Sequence, residues 1–435
     1  MRAAFAALVS VAAASCGDNQ HQAIAADAAP PPACTTSLSG TVTAPNGILP
    51  IAGATVYVAS NAPGPLPTAP SCQFACTPPN AVAATTTGAD GTFRLDGITA
   101  SPNLPVVIQA GRWRRQLVVP VLACGDTALA ADDTRLPGSS TDATALTAMS
   151  ATGAPLVDLP TIAAETGDDD VVECILVELG VAASEFGNGS GSGHVQLYWN
   201  PEAFAGAKAP SFAGGASYGD VTGLWNRYAA LSQFDVVMLG DDIDAAGSSK
   251  PPSAISAIGQ YASSGGQLVL TGNSQTIWIR NNAAWASELT FDPQVDADAT
   301  NAAMFAVDDT TNPDGTIYAD WLFDAGASPA PGTIYVDGAS YQCVGYDAAT
   351  VARWLYVTAS VDNGEESSNE LVSFSTPVGA ACGEVVYSDF EVAWGDGNEA
   401  ATVSPFPGNC AAPSAMTPQV KAMAYLLFGG GRSCP

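Results

Sequence analysis

Phe234-Asp235-Val236-Val237-Met238-Leu239 and Gln267-Leu268-Val269-Leu270-Thr271 are two apolar runs of strand length, and the stretch that joins them decides the fold. Neither run alternates, which is the pattern of a parallel strand buried on both faces. Between them, residues 253–263 read as a helix that stops at Gly265-Gly266. Upstream, 221–231 is a further helix, and Asp168-Asp169-Asp170 opens another, with its acids at the positive end of the helix dipole. Val171, Val172, Ile175, Leu176 and Leu179 then form one helical face, closed by Gly180. Residues 194–198, 351–358, 371–375 and 384–388 add strands, and 416–428 a closing amphipathic helix. Over 158–435 this alternation predicts a parallel sheet with helices on both faces, a three-layer α/β domain.

Before it the period changes to two. Gly40-Thr41-Val42-Thr43 and Gly53-Ala54-Thr55-Val56-Tyr57-Val58 alternate as half-buried strands around a Pro45-Asn46-Gly47 turn. Residues 82–87 and 92–95 flank Gly88-Ala89-Asp90-Gly91, read as a hairpin connection. Two more strands, 105–109 and 116–119, surround Gly111-Arg112-Trp113-Arg114-Arg115. Short strands without a helix over 34–137 predict an all-β sandwich. Residues 138–157, rich in Ser, Thr, Ala and Gly, read as a linker. The chain is thus multidomain.

The first fifteen residues read as a signal peptide: Met1-Arg2, an uncharged apolar run to Ala14, then Ser15 and Cys16. Such a core is too short to span a bilayer, and no later stretch is long enough to do so. The ending resembles a bacterial lipobox, which implies lipid attachment at Cys16, although Ala13 stands where Leu is usual. Residues 16–33, ending in Pro30-Pro31-Pro32, then form a tether. The expected location is the cell envelope, at the outer membrane or cell surface, with the lipid as the sole contact with a membrane.

Export accounts for scattered cysteines as disulfides. With Cys16 set aside an odd number remains, so one thiol is left over. The expected pairs are Cys72 with Cys76, Cys34 with Cys124, and Cys382 with Cys410. The formal net charge is -29, from 13 Lys and Arg against 42 Asp and Glu, which excludes nucleic acid as a partner and favours cations or basic ligands.

Gly40-x-Val42, Gly53-Ala54-x-Val56 and Thr87-Gly88-Ala89-Asp90-Gly91-x-Phe93-x-Leu95 resemble the carboxypeptidase regulatory-like domain, a transthyretin-like sandwich. That resemblance implies a non-catalytic module that braces, spaces or binds partners, including carbohydrate. Tyr261-x-x-x-Gly265-Gly266-x-Leu268-Val269-Leu270-Thr271 and Gly383-x-Val385-Val386-Tyr387-Ser388-Asp389 resemble the class I glutamine-amidotransferase-like fold, with its flavodoxin-like sheet. The pairing of the two is similar to that in a family of myxobacterial-type lipoproteins.

Ligands of such sheets bind beyond the carboxyl ends of the strands. After the first apolar run comes Gly240-Asp241-Asp242-Ile243-Asp244, and after a late strand Asp389-Phe390-Glu391. These carboxylates offer a divalent-cation site, for calcium or magnesium, or an acid/base edge for a hydrolase. Gly272-Asn273-Ser274 occupies the turn where the amidotransferase resemblance implies a Cys, and helix capping is its simpler use. Only His21 and His194 exist, so the catalytic dyad that the resemblance implies could form only through His194, which reads as structural or exposed, and no catalytic residue is assigned. The glycine-rich 187–193 lacks a P-loop Lys, and the Thr310-to-Trp321 segment lacks the ligands of an EF-hand. Arg112, Trp113, Arg114 and Arg115 are the one basic cluster, suited to a carboxylate, a glycan, or the chain's own acidic domain. Composition and pattern thus favour a binding or structural protein, for a protein or glycan ligand, over a carboxylate- or metal-dependent hydrolase.

Overall fold

The computed structural model describes residues 35–67, 70–72, 80–167, 170–189, 191–201, 209–241, 250–292, 303–361, 364–380, 382–393, 404–410 and 416–430. The first eight strands are β1 (Ser37–Thr41), β2 (Thr55–Ala59), β3 (Ala81–Thr86), β4 (Thr92–Asp96), β5 (Ser101–Ala110), β6 (Trp113–Val121), β7 (Asp126–Ala128) and β8 (Val157–Asp158). They form two sheets, β4-β1-β7 and β3-β2-β5-β6-β8. In β4 the alternation is strict: Phe93 and Leu95 are buried while Thr92, Arg94 and Asp96 are exposed. Phe93 and Leu95 share one apolar cluster with Leu38 of the same sheet and with Val56, Val106, Ile108, Leu117 and Val119 of the other.

The Gly88-to-Gly91 turn is not a hairpin. β3 pairs with β2 and β4 with β1, so this turn carries the chain from one sheet to the other. Its local chemistry is nonetheless that of a tight turn: Asp90 Oδ1 accepts the Thr92 N–H at 2.9 Å, and Gly91 sits at φ 74° against the Val42 carbonyl.

Residues 138–157 do not run as a free linker. The Val118 N–H donates to Leu146 O and the Ala148 N–H to Gln116 O, each at 2.8 Å, and β8 pairs with β6. The segment thereby satisfies backbone groups that β6 would otherwise present as an open edge.

The second part is built on β9 (Ile162–Thr166), β10 (Phe186–Gly187), β11 (Val195–Trp199), β12 (Gly219–Asp220), β13 (Val236–Leu239), β14 (Gln267–Thr271), β15 (Leu289–Phe291), β16 (Ala303–Val307), β17 (Thr333–Val336), β18 (Cys343–Tyr346), β19 (Val351–Val361), β20 (Gly364–Thr376) and β21 (Gly383–Ser388). The large sheet runs β10-β11-β9-β13-β14-β21-β20-β19-β16-β17. Strands β11, β9, β13, β14 and β21 are mutually parallel, whereas β20, β19, β16 and β17 continue antiparallel, so the sheet is mixed. Among the longer parallel strands, the chain order across the sheet is 2-1-3-4-5, a doubly wound arrangement.

The helices are α1 (Ala131–Thr134), α2 (Glu173–Glu178), α3 (Thr222–Trp225), α4 (Tyr228–Leu231), α5 (Pro252–Ser263), α6 (Thr276–Arg280) and α7 (Gly315–Asp324), followed by Pro418–Leu427. Successive residues of the parallel strands point into two different cores. Ile162, Ala164, Val236, Met238, Val269 and Val386 join residues of α2, α7 and the Pro418–Leu427 helix. Ala163, Val237, Leu239, Leu268, Leu270 and Val385 join residues of α3, α4, α5 and α6. Helices therefore cover both faces.

Two expected helices differ in detail. The 221–231 helix breaks at Arg227, which is extended (φ -143°, ψ 118°). In an unbroken helix Trp225 and Leu231 would lie about 120° apart around the axis; the break lets both be buried. The helix Pro418–Leu427 is buried on nearly every side rather than amphipathic, because the β-rich part packs on it. Trp113 and Phe428 rings meet at 4.6 Å, the indole N–H of Trp321 donates to Pro50 O at 2.8 Å, and the first part's apolar residues belong to the same core as α2 and α7. Contacts within Thr35–Pro435 form one compact unit.

Two expected disulfides are replaced by others. Cys72 pairs with Cys382 (Cα–Cα 4.3 Å) and Cys174 with Cys410 (5.0 Å), across 310 and 236 residues of chain. A disulfide needs Cα atoms within about 7 Å in space, and the fold supplies this for residues remote in sequence. Cys124 is disulfide-bonded; Cys34 and Cys76 lie outside the described residues. Cys343 is an unpaired, buried thiol.

Candidate functional site

The doubly wound order puts the switch point between β9 and β13, where sheets of this kind hold ligands beyond the strand ends. Here the described main chain at the strand ends is in direct contact. A Cβ on Gly167 would overlap the Asp241 carbonyl, and one on Gly272, at φ 78°, would overlap the Asp241 side chain. A Cβ on Gly240 would lie 2.5 Å from Asp170 O. Three strand-end glycines thus allow the turns after β9, β13 and β14 to touch directly. Asp170 extends the closure: its carboxylate accepts the Val392 N–H at 2.9 Å and the Ala393 N–H at 2.7 Å, tying the loop after β9 to the loop after β21.

Of the predicted acidic edge, Asp241 and Asp389 are both buried, at the ends of β13 and β21 on either side of β14. Neighbouring strands lie about 4.8 Å apart, so these ends are separated by about 10 Å. Asp241 Oδ1 accepts the Ser274 N–H at 3.0 Å. Asp389 accepts the Cys343 N–H at 2.8 Å and the Tyr387 hydroxyl at 2.6 Å, which fastens β18 to the sheet. Burial pushes the Asp389 carboxyl up, and it also pushes up the neighbouring Glu370 carboxyl, which the Asp389 charge raises further. Two buried carboxyls side by side cannot both ionise in a low dielectric. Burial likewise raises the Cys343 thiol well above its ordinary value, with the nearby carboxylates adding to the effect, so it is no thiolate nucleophile. Glu391 is half-buried, with its N–H on Gly338 O and its carbonyl accepting from Gln419. Asp242 and Asp244 lie outside the described residues. Among the described residues no group of three or more His, Cys, Asp or Glu is arranged to hold a metal ion.

Ser274 lies in the turn after β14, and its hydroxyl accepts from the Gln275 amide at 3.1 Å. Neither Ser nor Asn caps the helical turns there: the short 3-10 turn Asn273–Gln275 and α6 have no side-chain cap. Asp241 of the neighbouring strand end supplies the oxygen instead. His194 precedes β11, at the opposite edge of the sheet, and pairs with Glu185.

Arg112, Trp113, Arg114 and Arg115 are all buried, and the three guanidiniums are engaged within the chain. Arg112 pairs with Asp235 at 3.3 Å, Arg114 with Asp158 at 2.8 Å and Arg115 with Asp142 at 3.2 Å. The glycine-rich loop is folded around Gln196, whose amide accepts from Gly189 N–H and donates to Gly193 O. In the Thr310-to-Trp321 segment, the preceding Asp308 carboxylate serves Thr311 and Arg353 (2.7 Å).

Sequence reading missed Asp170, Glu173, Glu370 and Lys250. Asp170 reads as a helix-start acid and Glu173 and Glu370 as ordinary surface acids in an acidic chain; only packing shows the three buried. Lys250 is one basic residue before the 253–263 helix, and no local pattern marks it as buried.

No protein-family profile and no curated protein matches the chain. Several solved structures are similar in part. A ThuA-like protein from Bacteroides uniformis is 11% identical, with 60% of this chain and 94% of that one covered, at a TM-score of 0.27. A cytoplasmic protein from Salmonella typhimurium is 10% identical, with 62% and 98% covered, at 0.29. An exo-β-1,4-mannosidase from an Opitutaceae bacterium is 12% identical, at 0.25, and the match covers 54% of this chain and 31% of that chain. The strand order, not these likenesses, carries the α/β assignment.

Proposed function

We propose that the protein is a cell-envelope lipoprotein with a binding or structural role. In this reading a carboxypeptidase regulatory-like sandwich is docked on a catalytically silent amidotransferase-like domain, and Cys16 carries the lipid. The observation that supports silence is the direct main-chain contact at the switch point, with Gly167 packed on Asp241 and Asp170 clamping the loop after β21. The distance between Ser274 and His194 supports it further. Disulfides and the lack of any helix, among the described residues, long and apolar enough to cross a membrane are compatible with export.

The test is metal analysis and a hydrolase substrate panel on the protein truncated before Cys34. No turnover and no stoichiometric metal are expected. Turnover that disappears in Asp241→Asn or Asp389→Asn would move the hydrolase reading to first place. For the anchor, mass spectrometry of the mature N-terminus should find a lipid-modified Cys16, absent in Cys16→Ala.

A further inference from the structure

Resting on that binding reading, we infer that the groove between α5 and residues 281–285 takes a hydroxyl-rich ligand bearing one carboxylate, the chemistry of an acidic sugar. The groove has a volume of about 780 Å³, within the roughly 300–1,000 Å³ of small-molecule sites. Its wall is one stripe of α5, with Ser256 and Gln260 on one i, i+4 row and Gly259 and Ser263 on the next. Asn281 and Asn282 face this stripe, and a Cβ on Gly259 would lie 2.5 Å from Asn282 Nδ2, so the two walls approach closely. Amides and hydroxyls of this kind match the hydroxyl groups of a sugar in both donor and acceptor roles. In a chain with 42 acidic residues, no Asp or Glu is among the groove's described lining residues.

Lys250 stands at the groove, 8% exposed, with Nζ 4.0 Å from the centroid of Trp225 and 5.5 Å from that of Trp278. Among the described residues no carboxylate pairs with it. Among the described residues this ammonium meets two indole faces and no carboxylate, and in the inferred complex a ligand carboxylate in the groove pairs with it. The formal charge of -29 repels polyanions. A single carboxylate among neutral hydroxyls therefore fits better than a polyuronate or an acidic peptide.

Calorimetric titration of the full chain with a xylo-oligosaccharide and with its counterpart bearing one glucuronate tests this. The glucuronate form should bind at least about tenfold more tightly, the size of one hydrogen bond to a charged group. Lys250→Met, which keeps an aliphatic stem over Trp225, should abolish that difference and leave the neutral sugar's affinity unchanged. Asn281→Ala, at an exposed position that tests the groove without disturbing packing, should weaken both. Equal binding of the two sugars, a preference unchanged in Lys250→Met, tighter binding of an acidic peptide, or no binding at all would overturn the inference and leave the non-catalytic reading standing. Cleavage of the bound sugar would overturn that reading and keep the site.

Discussion

His194 Nδ1 lies 2.6 Å from Glu185 Oε2 at the amino edge of the sheet, whereas Ser274 follows the carboxyl end of β14. Five residues of strand separate the edges by about 16 Å, so the imidazole cannot activate the hydroxyl. Glutaminase activity should therefore be undetectable. Ser274→Ala should change stability by about 1 kcal/mol, the scale of one side-chain hydrogen bond. Glutamine hydrolysis that vanishes in Ser274→Ala or His194→Ala would contradict the geometry.

Glu173 on α2 is fully buried, and burial raises its carboxyl from 4.5 to about 7, against hydrogen bonds from Tyr218 and Asn409. A raised folded-state value means that the unfolded chain loses this proton first as pH rises. Its contribution to stability therefore declines between pH 4.5 and about 7 and is level above that. Glu173→Gln should raise the melting temperature at pH 8, by the equivalent of about 3 kcal/mol at most, and leave it unchanged at pH 4. Equal effects at both values would show that the fold does not raise this carboxyl.

The β-rich part offers a boundary test. A fragment of residues 34–137 contains β1 to β7, but it leaves β6 open and Arg115 without Asp142. A fragment of residues 34–160 restores both. Both should unfold cooperatively, with the longer one higher in denaturant midpoint. A shorter fragment as stable as the longer would mean that 138–157 contributes nothing to β6.

Peptide mapping without reduction should recover Cys72 joined to Cys382 and Cys174 joined to Cys410. Replacing both Cys72 and Cys382 by Ser should cost about 2–5 kcal/mol in denaturant unfolding. Recovery of a Cys72–Cys76 peptide would refute the long-range pairing.

Much of the fold was legible residue by residue. The unbroken apolar runs that became β13 and β14, the helix α5 between them, and the Val171-to-Leu179 face all follow from periodicity, which is local. The turn at Asp90-Gly91 was legible as a turn for the same reason. Of the site, the sequence marked Asp241 and Asp389 as strand-end carboxylates, but not that Ser274 N–H and Tyr387 hydroxyl would occupy them.

By itself the sequence determined the buried strands β13 and β14, the helix α5 between them and the alternating strands β2 and β4, because side-chain period and turn residues act within a few positions. It also limited any histidine-assisted chemistry to His21 and His194, because residue types are read directly. Tertiary structure alone decided that the Gly88-to-Gly91 turn joins two sheets, that Cys72 meets Cys382, and that Arg112 to Arg115 are consumed inside the chain. Those outcomes depend on which surfaces must be buried against each other and which backbone groups need partners. Such demands are met between residues hundreds of positions apart, and no local pattern records them.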